Sequence, residues 1–359
     1  MSVWNYAERL PAVAPEHRLS LGEGRTPVVR SKRIGPEAGI ENLYFKLEAA
    51  NPTGSYKDRF AAVAVSLMLA SGKTKCIATS SGNSGAALAA YCAAAQLTCE
   101  IAIVETAPTG KLLQMLAYGA QLKRIRSFGL DPEITRQTCE LLESRGKQPD
   151  SALQITAYRF CPLGMQGVQT ISYELAEFAV ANDVSFKYLF VPAGGGGLAL
   201  AIARGFVDWR AHGTPESPSP AVHVVQPRGN DTIASSLRNG DPLARAVACS
   251  TSISGLQVPS VIDGTELIRA SRESGGTGHI VDDESVWQVQ SRLVKEEGIF
   301  CEPAAAVSVC GALNAVQRGE IDRNAPIACI ITGSAFKDLA SVERMVHGRD
   351  CLTVDFESF

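Results

Sequence analysis

The chain has 359 residues, 45% of them hydrophobic and 20% charged, with a formal charge of -3. Such a balance leaves no basic excess to draw it onto nucleic acid or an anionic membrane, and no apolar run approaches the ~20 residues a spanning helix needs. The length suffices for a large core and two domains.

The opening stretch, Met1 to Arg9, has no apolar core behind a basic head, so no signal peptide is expected and the protein reads as cytoplasmic. Residues 1–20 read as a peripheral arm. Leu21-Gly-Glu-Gly-Arg-Thr-Pro27 is a turn-rich entry to a short extended run at 28–30, and 42–47 reads as a strand. Next comes Asn51-Pro-Thr-Gly-Ser-Tyr-Lys-Asp-Arg-Phe60. Asn51, Pro52 and Gly54 are turn formers, and Ser55 is a candidate cap for an Ala-rich helix over 56–70, stopped by Ser71-Gly72. Lys57 therefore falls in the first helical turn, where the macrodipole favours anions. A lysine set against that field suits an amine kept near neutrality and used as a nucleophile. The bland alternative is a solvated surface lysine, with Asp58 and Arg59 as ordinary charged neighbours.

Strands are expected over 75–79, 99–104, 121–126 and 152–158, alternating with helices over 86–95, 111–118 and 132–143. Such βα repetition with short links argues for an open, mostly parallel sheet, here a small domain at 60–155. A helix over 165–180 opens the larger part. A buried-type strand at 186–191 then leads through Pro192-Ala-Gly-Gly-Gly-Gly-Leu198 into a helix reaching 209. Strands at 221–226, 278–281 and 326–331 and helices at 232–237, 263–274, 283–297 and 303–317 complete the pattern. Residues 212–220 read as an exposed loop, 241–262 as a mobile or site-facing loop, and 343–359 as a closing tail.

The ten cysteines, at 76, 92, 99, 139, 161, 249, 301, 310, 329 and 351, form no Cys-x-x-Cys pair, and most sit in apolar segments. They read as small buried hydrophobes in a reducing compartment. The five histidines have no ligand spacing with them, so no metal site is expected.

Several strand-to-helix loops fall where open α/β sheets bind ligands, beyond the carboxyl ends of strands. Gly194, Gly195, Gly196 and Gly197 would expose backbone amides beside a helix start, which suits a phosphate. No Gly-Lys-Ser/Thr follows, and the dinucleotide spacing is missing. Ser80-Ser-Gly-Asn-Ser-Gly85 offers the Asn83 amide and the Ser81 and Ser84 hydroxyls for a ligand oxygen or a carboxylate, or serves as a simple helix cap. Thr332 ends the last core strand, where its neutral hydroxyl could meet a ring nitrogen or do nothing beyond packing. Glu302-Pro303 at a helix start is read as a dipole interaction. A lysine nucleophile, a glycine cradle, an asparagine and a strand-end hydroxyl are together what pyridoxal phosphate requires.

In this order these motifs resemble the pyridoxal-phosphate enzymes of the tryptophan-synthase-beta fold (fold type II), and specifically the threonine synthase family, over about residues 20–340. The resemblance implies an α/β protein of two open, twisted, mostly parallel sheets with helices on both faces, and a homodimer. Residues 1–59 and 156–359 would form the large cofactor domain around the small domain at 60–155. Lys57 would carry the Schiff base and shuttle protons. Asn83 would hold the phenolic oxygen, Gly194 to Gly197 the phosphate, and Thr332 the pyridine nitrogen. Ser80, Ser81, Ser84 and Arg159 would bind the amino-acid substrate. The reaction implied is conversion of O-phosphohomoserine and water to threonine and phosphate. This chain departs from the family pattern where Leu153-Gln154 replaces an Asn-Ser pair, where Gly85 replaces a serine, and where Ser334 replaces a histidine. Those changes motivate the alternative: elimination or replacement at the β-carbon of a serine- or threonine-type amino acid.

Overall fold

Short runs of Ile, Val, Phe and Cys make the central strands, and small-residue helices cover them. The computed structural model describes residues 2–80, 82–105, 107, 109–212 and 219–356. In chain order come β1 (Val28–Arg30), α1 (Ile34–Glu37), β2 (Leu43–Leu47), α2 (Lys57–Ala70), β3 (Lys75–Thr79) and α3 (Asn83–Ala94). Then follow β4 (Thr98–Ile103), α4 (Thr109–Ala117), β5 (Gln121–Arg124), α5 (Pro132–Gly146) and β6 (Ser151–Leu153). The next elements are α6 (Pro162–Ala181), β7 (Tyr188–Pro192), α7 (Gly197–His212), β8 (Ala221–Pro227), α8 (Ala234–Asn239) and α9 (Gly264–Glu273). The chain closes with β9 (Gly278–Val281), α10 (Asp283–Glu297), α11 (Pro303–Gln317), β10 (Ile327–Ile331) and α12 (Leu339–Val346).

Two sheets result, matching the fold-type-II expectation. One has six strands in the order β1-β2-β10-β7-β8-β9, and the other four in the order β5-β4-β3-β6. All neighbours are parallel except β1 and β2. The last strand in sequence, β10, sits at the centre of its sheet, with Ile327 opposite both Leu43 and Tyr188. Its Ile-Ala-Cys-Ile-Ile run is wholly buried, as a parallel strand covered on both faces must be. Edge strand β5 is polar, Gln-Leu-Lys-Arg, which discourages pairing with another chain. No helix among the described residues is long and apolar enough to cross a membrane.

Helix α2 packs against both α3 and α6 and so joins the layers. At its crossing with α6, a side-chain carbon at Gly167 would fall on the carbonyl of Arg59, so only glycine permits that approach. Beneath α2 lies a buried ion network. The Arg59 guanidinium donates to Glu48 (2.7 Å) and Glu174 (2.5 Å), and Lys46 donates to Glu174 (2.5 Å). Two cations face two carboxylates, so the network is neutral, and Thr26 and Thr170 fill further hydrogen-bonding positions. Asp58 is also buried and closes the preceding turn by accepting from Thr53 N (2.8 Å) and Thr53 Oγ1 (2.7 Å). Neither Asp58 nor Arg59 is an ordinary solvated neighbour of Lys57.

Three other segments gain detail. The first twenty residues, expected as a peripheral arm, pack onto the helices: Val3, Leu10 and Val13 are buried, Tyr6 Oη donates to Glu177 of α6 (2.8 Å), and Arg9 pairs with Asp208 of α7 (3.2 Å). The strand expected over 152–158 ends at Leu153, because the Asp263 carboxylate accepts from Tyr158 N (2.8 Å) and Arg159 N (3.1 Å) and turns the chain away. The closing tail begins inside a helix, since α12 ends at Val346.

Candidate active site

A cavity of about 240 Å³ opens beyond the carboxyl ends of β3, β6, β7 and β10. It is the position the chemistry of open α/β sheets favours, where loops converge and strand ends leave backbone groups free.

Lys57 is the first residue of α2 and lines this cavity. Its turn is stitched to the end of β10: Tyr56 N donates to Thr332 O (3.1 Å), and Ser334 N donates to Gly54 O (2.9 Å). Ser55 does not cap the helix. It bridges to Gly333 instead, and its buried hydroxyl has no partner among the described residues. Lys57 is half-buried, but the surface it keeps faces the cavity rather than bulk water. Burial lowers its pKa to about 7, against the opposing pull of the Glu302 and Asp263 carboxylates. Its Nζ also stands 4.5 Å from the centroid of the Tyr56 ring. An amine in that range is a competent nucleophile and base near neutral pH.

Asn83 opens α3, and its side chain crosses to the other sheet, donating to Glu302 Oε1 (3.0 Å) and Oε2 (3.2 Å). Glu302 caps the start of α11, with its own N–H donating to Gly333 O (3.0 Å). It is fully buried, and burial raises its pKa. Thr332 Oγ1 lies 3.5 Å from Glu302 Oε1. A side chain at Gly333 would fall on that carboxylate, so the strand end must be glycine. The sequence position of Glu302 at a helix start suggests only a dipole interaction. Its burial beside the cavity was invisible without the β10 turn.

Gly194 to Gly197 line the cavity at the head of α7, a sixteen-residue helix. Side-chain carbons there would press on Val258, Ile262, Ile233 and Asp263, so the irregular segment 241–262 packs the glycine loop from outside. Asp263 N donates to Gly195 O (3.0 Å). Exposed amides at a helix N-terminus, with no side chains in the way, form a donor set suited to a phosphate.

Ser80 and Ser84 also line the cavity, whereas Ser81 lies outside the described residues. Ser80 Oγ accepts from Gly85 N (2.9 Å) and Gly82 N (3.2 Å), and Ser84 Oγ accepts from Thr156 Oγ1 (3.0 Å). A side chain at Gly85 would fall on Met115, which is why no hydroxyl stands there. Arg159 is not in the cavity lining. It is exposed, with its guanidinium 5.5 Å from the Phe160 ring centroid, because Asp263 fixes its backbone with the side chain outward. The cation that does line the cavity beside Lys57 is Lys111, of α4, which hydrogen-bonds Ser254 and lies 4.0 Å from Asp338. In sequence it follows Thr109-Gly110 directly, with no motif that marks it.

A depressed amine facing a glycine-lined helix start is the donor pattern of one cofactor class, and the wider comparison agrees. The chain belongs to the pyridoxal-phosphate dependent enzyme family, whose pattern it matches over residues 19–333. Its close relatives there are threonine synthases. That of Methanosarcina acetivorans is 32% identical over 352 residues, covering 95% of this chain and 81% of the relative. That of Methanocaldococcus jannaschii is 31% identical over 350 residues, covering 94% and 81%. Maize serine racemase shares the fold, with a TM-score of 0.74 at 21% identity over 89% of this chain and 91% of that one. The protein is thus a fold-type-II enzyme that uses pyridoxal phosphate, and the residues around its cavity suit that group: an amine for the aldehyde, helix-start amides for the phosphate, and neutral polar groups for the ring.

Proposed function

We propose that this is a threonine-synthase-like enzyme that eliminates or replaces a group at the β-carbon of a serine- or threonine-type amino acid. The observation carrying this reading is the cation set of the cavity. Among the described residues Lys57 and Lys111 line it, while Arg159 turns outward and Gly85 offers no hydroxyl. A substrate phosphate would be short of partners, and an unpaired dianion in a closed site is costly. Lys57 would hold the cofactor through its aldehyde, Gly194 to Gly197 its phosphate, Asn83 its phenolic oxygen and Thr332 its ring nitrogen. When bound, the cofactor withdraws electrons from the substrate's Cα and weakens its Cα–H bond. Once the substrate's own amine has taken its place on the aldehyde, the freed Lys57 amine, its pKa lowered to about 7, would take up that proton, and the leaving group would depart from Cβ with its bonding pair. Ser80 and Ser84 sit where a substrate carboxylate would meet the start of α3.

A second reading is threonine synthesis from O-phosphohomoserine. The threonine synthase relatives favour it, with Lys111 as the phosphate's partner. One experiment separates the two. The purified holoenzyme is supplied in turn with serine, threonine, an O-acylated serine plus a thiol or amine nucleophile, and O-phosphohomoserine. Release of ammonia and a 2-oxo acid, or a β-substituted amino acid, from the first three supports the proposal. Threonine and phosphate from the fourth alone overturns it in favour of the second reading. We also take the protein to be a homodimer, which light scattering tests.

A further inference from the structure

We propose that Cys76, Cys92 and Cys99 form a binding site for one thiophilic d10 metal ion of the Zn2+ type. The three sulfur atoms all lie within 4.8 Å of one another, and all three residues are buried. Among the described residues this is the one group of three potential ligands so disposed. The arrangement follows from the fold. Cys76 on β3 and Cys99 on β4 are direct partners in the parallel register, so their side chains share one face of the small sheet. Helix α3 covers that face and sets Cys92 over the pair. A Zn–S bond of ~2.3 Å places three ligand sulfurs about 4 Å apart. Sulfurs already within 4.8 Å of one another stand close to that spacing.

Three thiols in an apolar layer select a soft ion over Mg2+ or Ca2+. Binding forms three metal–sulfur bonds and releases three thiol protons to solvent, with no electron transferred. Cys99 borders a separate cavity of about 260 Å³ shared with Gln96, Tyr118 and Gln121. Intervals of sixteen and seven residues match no metal motif, so only the folded chain reveals the site. An ion here would tie β3, β4 and α3 together. Helix α3 begins at Asn83, and β3 runs directly into the loop at Ser80, so the ion would brace the base of the catalytic loop without touching the reaction.

The test uses untagged, EDTA-treated full-length holoenzyme carrying Cys139→Ser, Cys249→Ser and Cys351→Ser, which removes the three exposed thiols. It is titrated with Co2+ and then Zn2+. The expected results are one equivalent bound, a thiolate-to-Co2+ charge-transfer band abolished by Zn2+, a shell of three sulfurs in zinc X-ray absorption, and an upward shift in Tm. Cys92→Ala, a small change in an alanine-rich helix, should lose the band and the Tm shift while its unliganded Tm stays close to that of the parent. No binding by the parent, or a shell with fewer than three sulfurs, overturns the proposal. So does a charge-transfer band that survives Cys92→Ala.

Discussion

The Asn83 amide donates to the Glu302 carboxylate at 3.0 Å and 3.2 Å, joining the helix that follows β3 of one sheet to the helix cap beside β10 of the other. A hydrogen bond is worth about 0.5–1.5 kcal/mol between neutral groups and about 1.5–3 kcal/mol to an ionised one, and leaving a buried acid without it costs its desolvation. Asn83→Ala and Glu302→Leu, combined in a double-mutant cycle, should therefore show a coupling energy of at least about 1 kcal/mol in urea unfolding of the cofactor-free protein. Additive costs would show that the pair carries no such link.

Lys57 must be unprotonated to attack an aldehyde. With its pKa lowered to about 7 by burial, cofactor uptake by the stripped enzyme should rise about tenfold per pH unit below pH 7 and level off above it. A rate still rising to pH 10 would mean an ordinary lysine. Lys57→Ala should abolish the cofactor's imine absorbance and lower turnover by at least about 10²–10⁴-fold.

Lys111 and Arg159 offer a direct contrast. Lys111→Ala should lower kcat/KM by about 10–100-fold for a substrate with an anionic leaving group, the loss expected for a charged hydrogen bond. Arg159→Ala should change it by less than about twofold, since its guanidinium lies over Phe160 outside the cavity. Steady-state kinetics decides, and the reverse order would place Arg159 in the site.

Arg59 holds two buried carboxylates. Arg59→Met would leave Glu48 and Glu174 short of their main partner, with Lys46 compensating only Glu174. A loss of about 3–5 kcal/mol is expected by chemical denaturation. Glu48→Gln in the Arg59→Met background should recover part of it.

His223 Nδ1 and His279 Nε2 lie 2.9 Å apart between β8 and β9, with Glu320 3.3 Å from His279 and the Phe190 ring stacked on His223. Burial lowers their pKa values to about 3 and about 4, so both rings are neutral in the folded protein at pH 6. The unfolded chain takes up protons as pH falls below about 6.5, and the folded one does not until far lower. Stability should therefore fall from pH 6.5 to pH 5, by on the order of 2 kcal/mol per ring. His223→Leu with His279→Leu should flatten that decline, measured as Tm against pH.

Periodic segments were the legible part of the chain. The limits expected for β9, α10 and α11 coincide with those observed, because each is bracketed by Asp, Gly or Pro signals that act locally. The motifs also announced which loops would meet: Lys57, Ser80, Asn83, Ser84, Gly194 to Gly197 and Thr332 all line one cavity. What stayed hidden depends on distant partners. Arg159 carried a family position but is turned out by Asp263, a hundred residues later. Glu302 enters the cavity because the start of α11 meets the turn after β10, and Lys111 because α4 faces the loop at Ser254. The burial of Arg59 required α6, β2 and α2 to be assembled at once.

Insertion of β10 between β2 and β7 has a consequence for the order of biosynthesis. The turn that presents Lys57 leans on Thr332 and Ser334, which leave the ribosome some 275 residues after it. Before then the amine would lack one wall of the burial that lowers its pKa. A product truncated before residue 327 would carry every early motif but lack the strand that walls in the lysine turn, and it should form an imine with the cofactor aldehyde more slowly near neutral pH than the whole chain does.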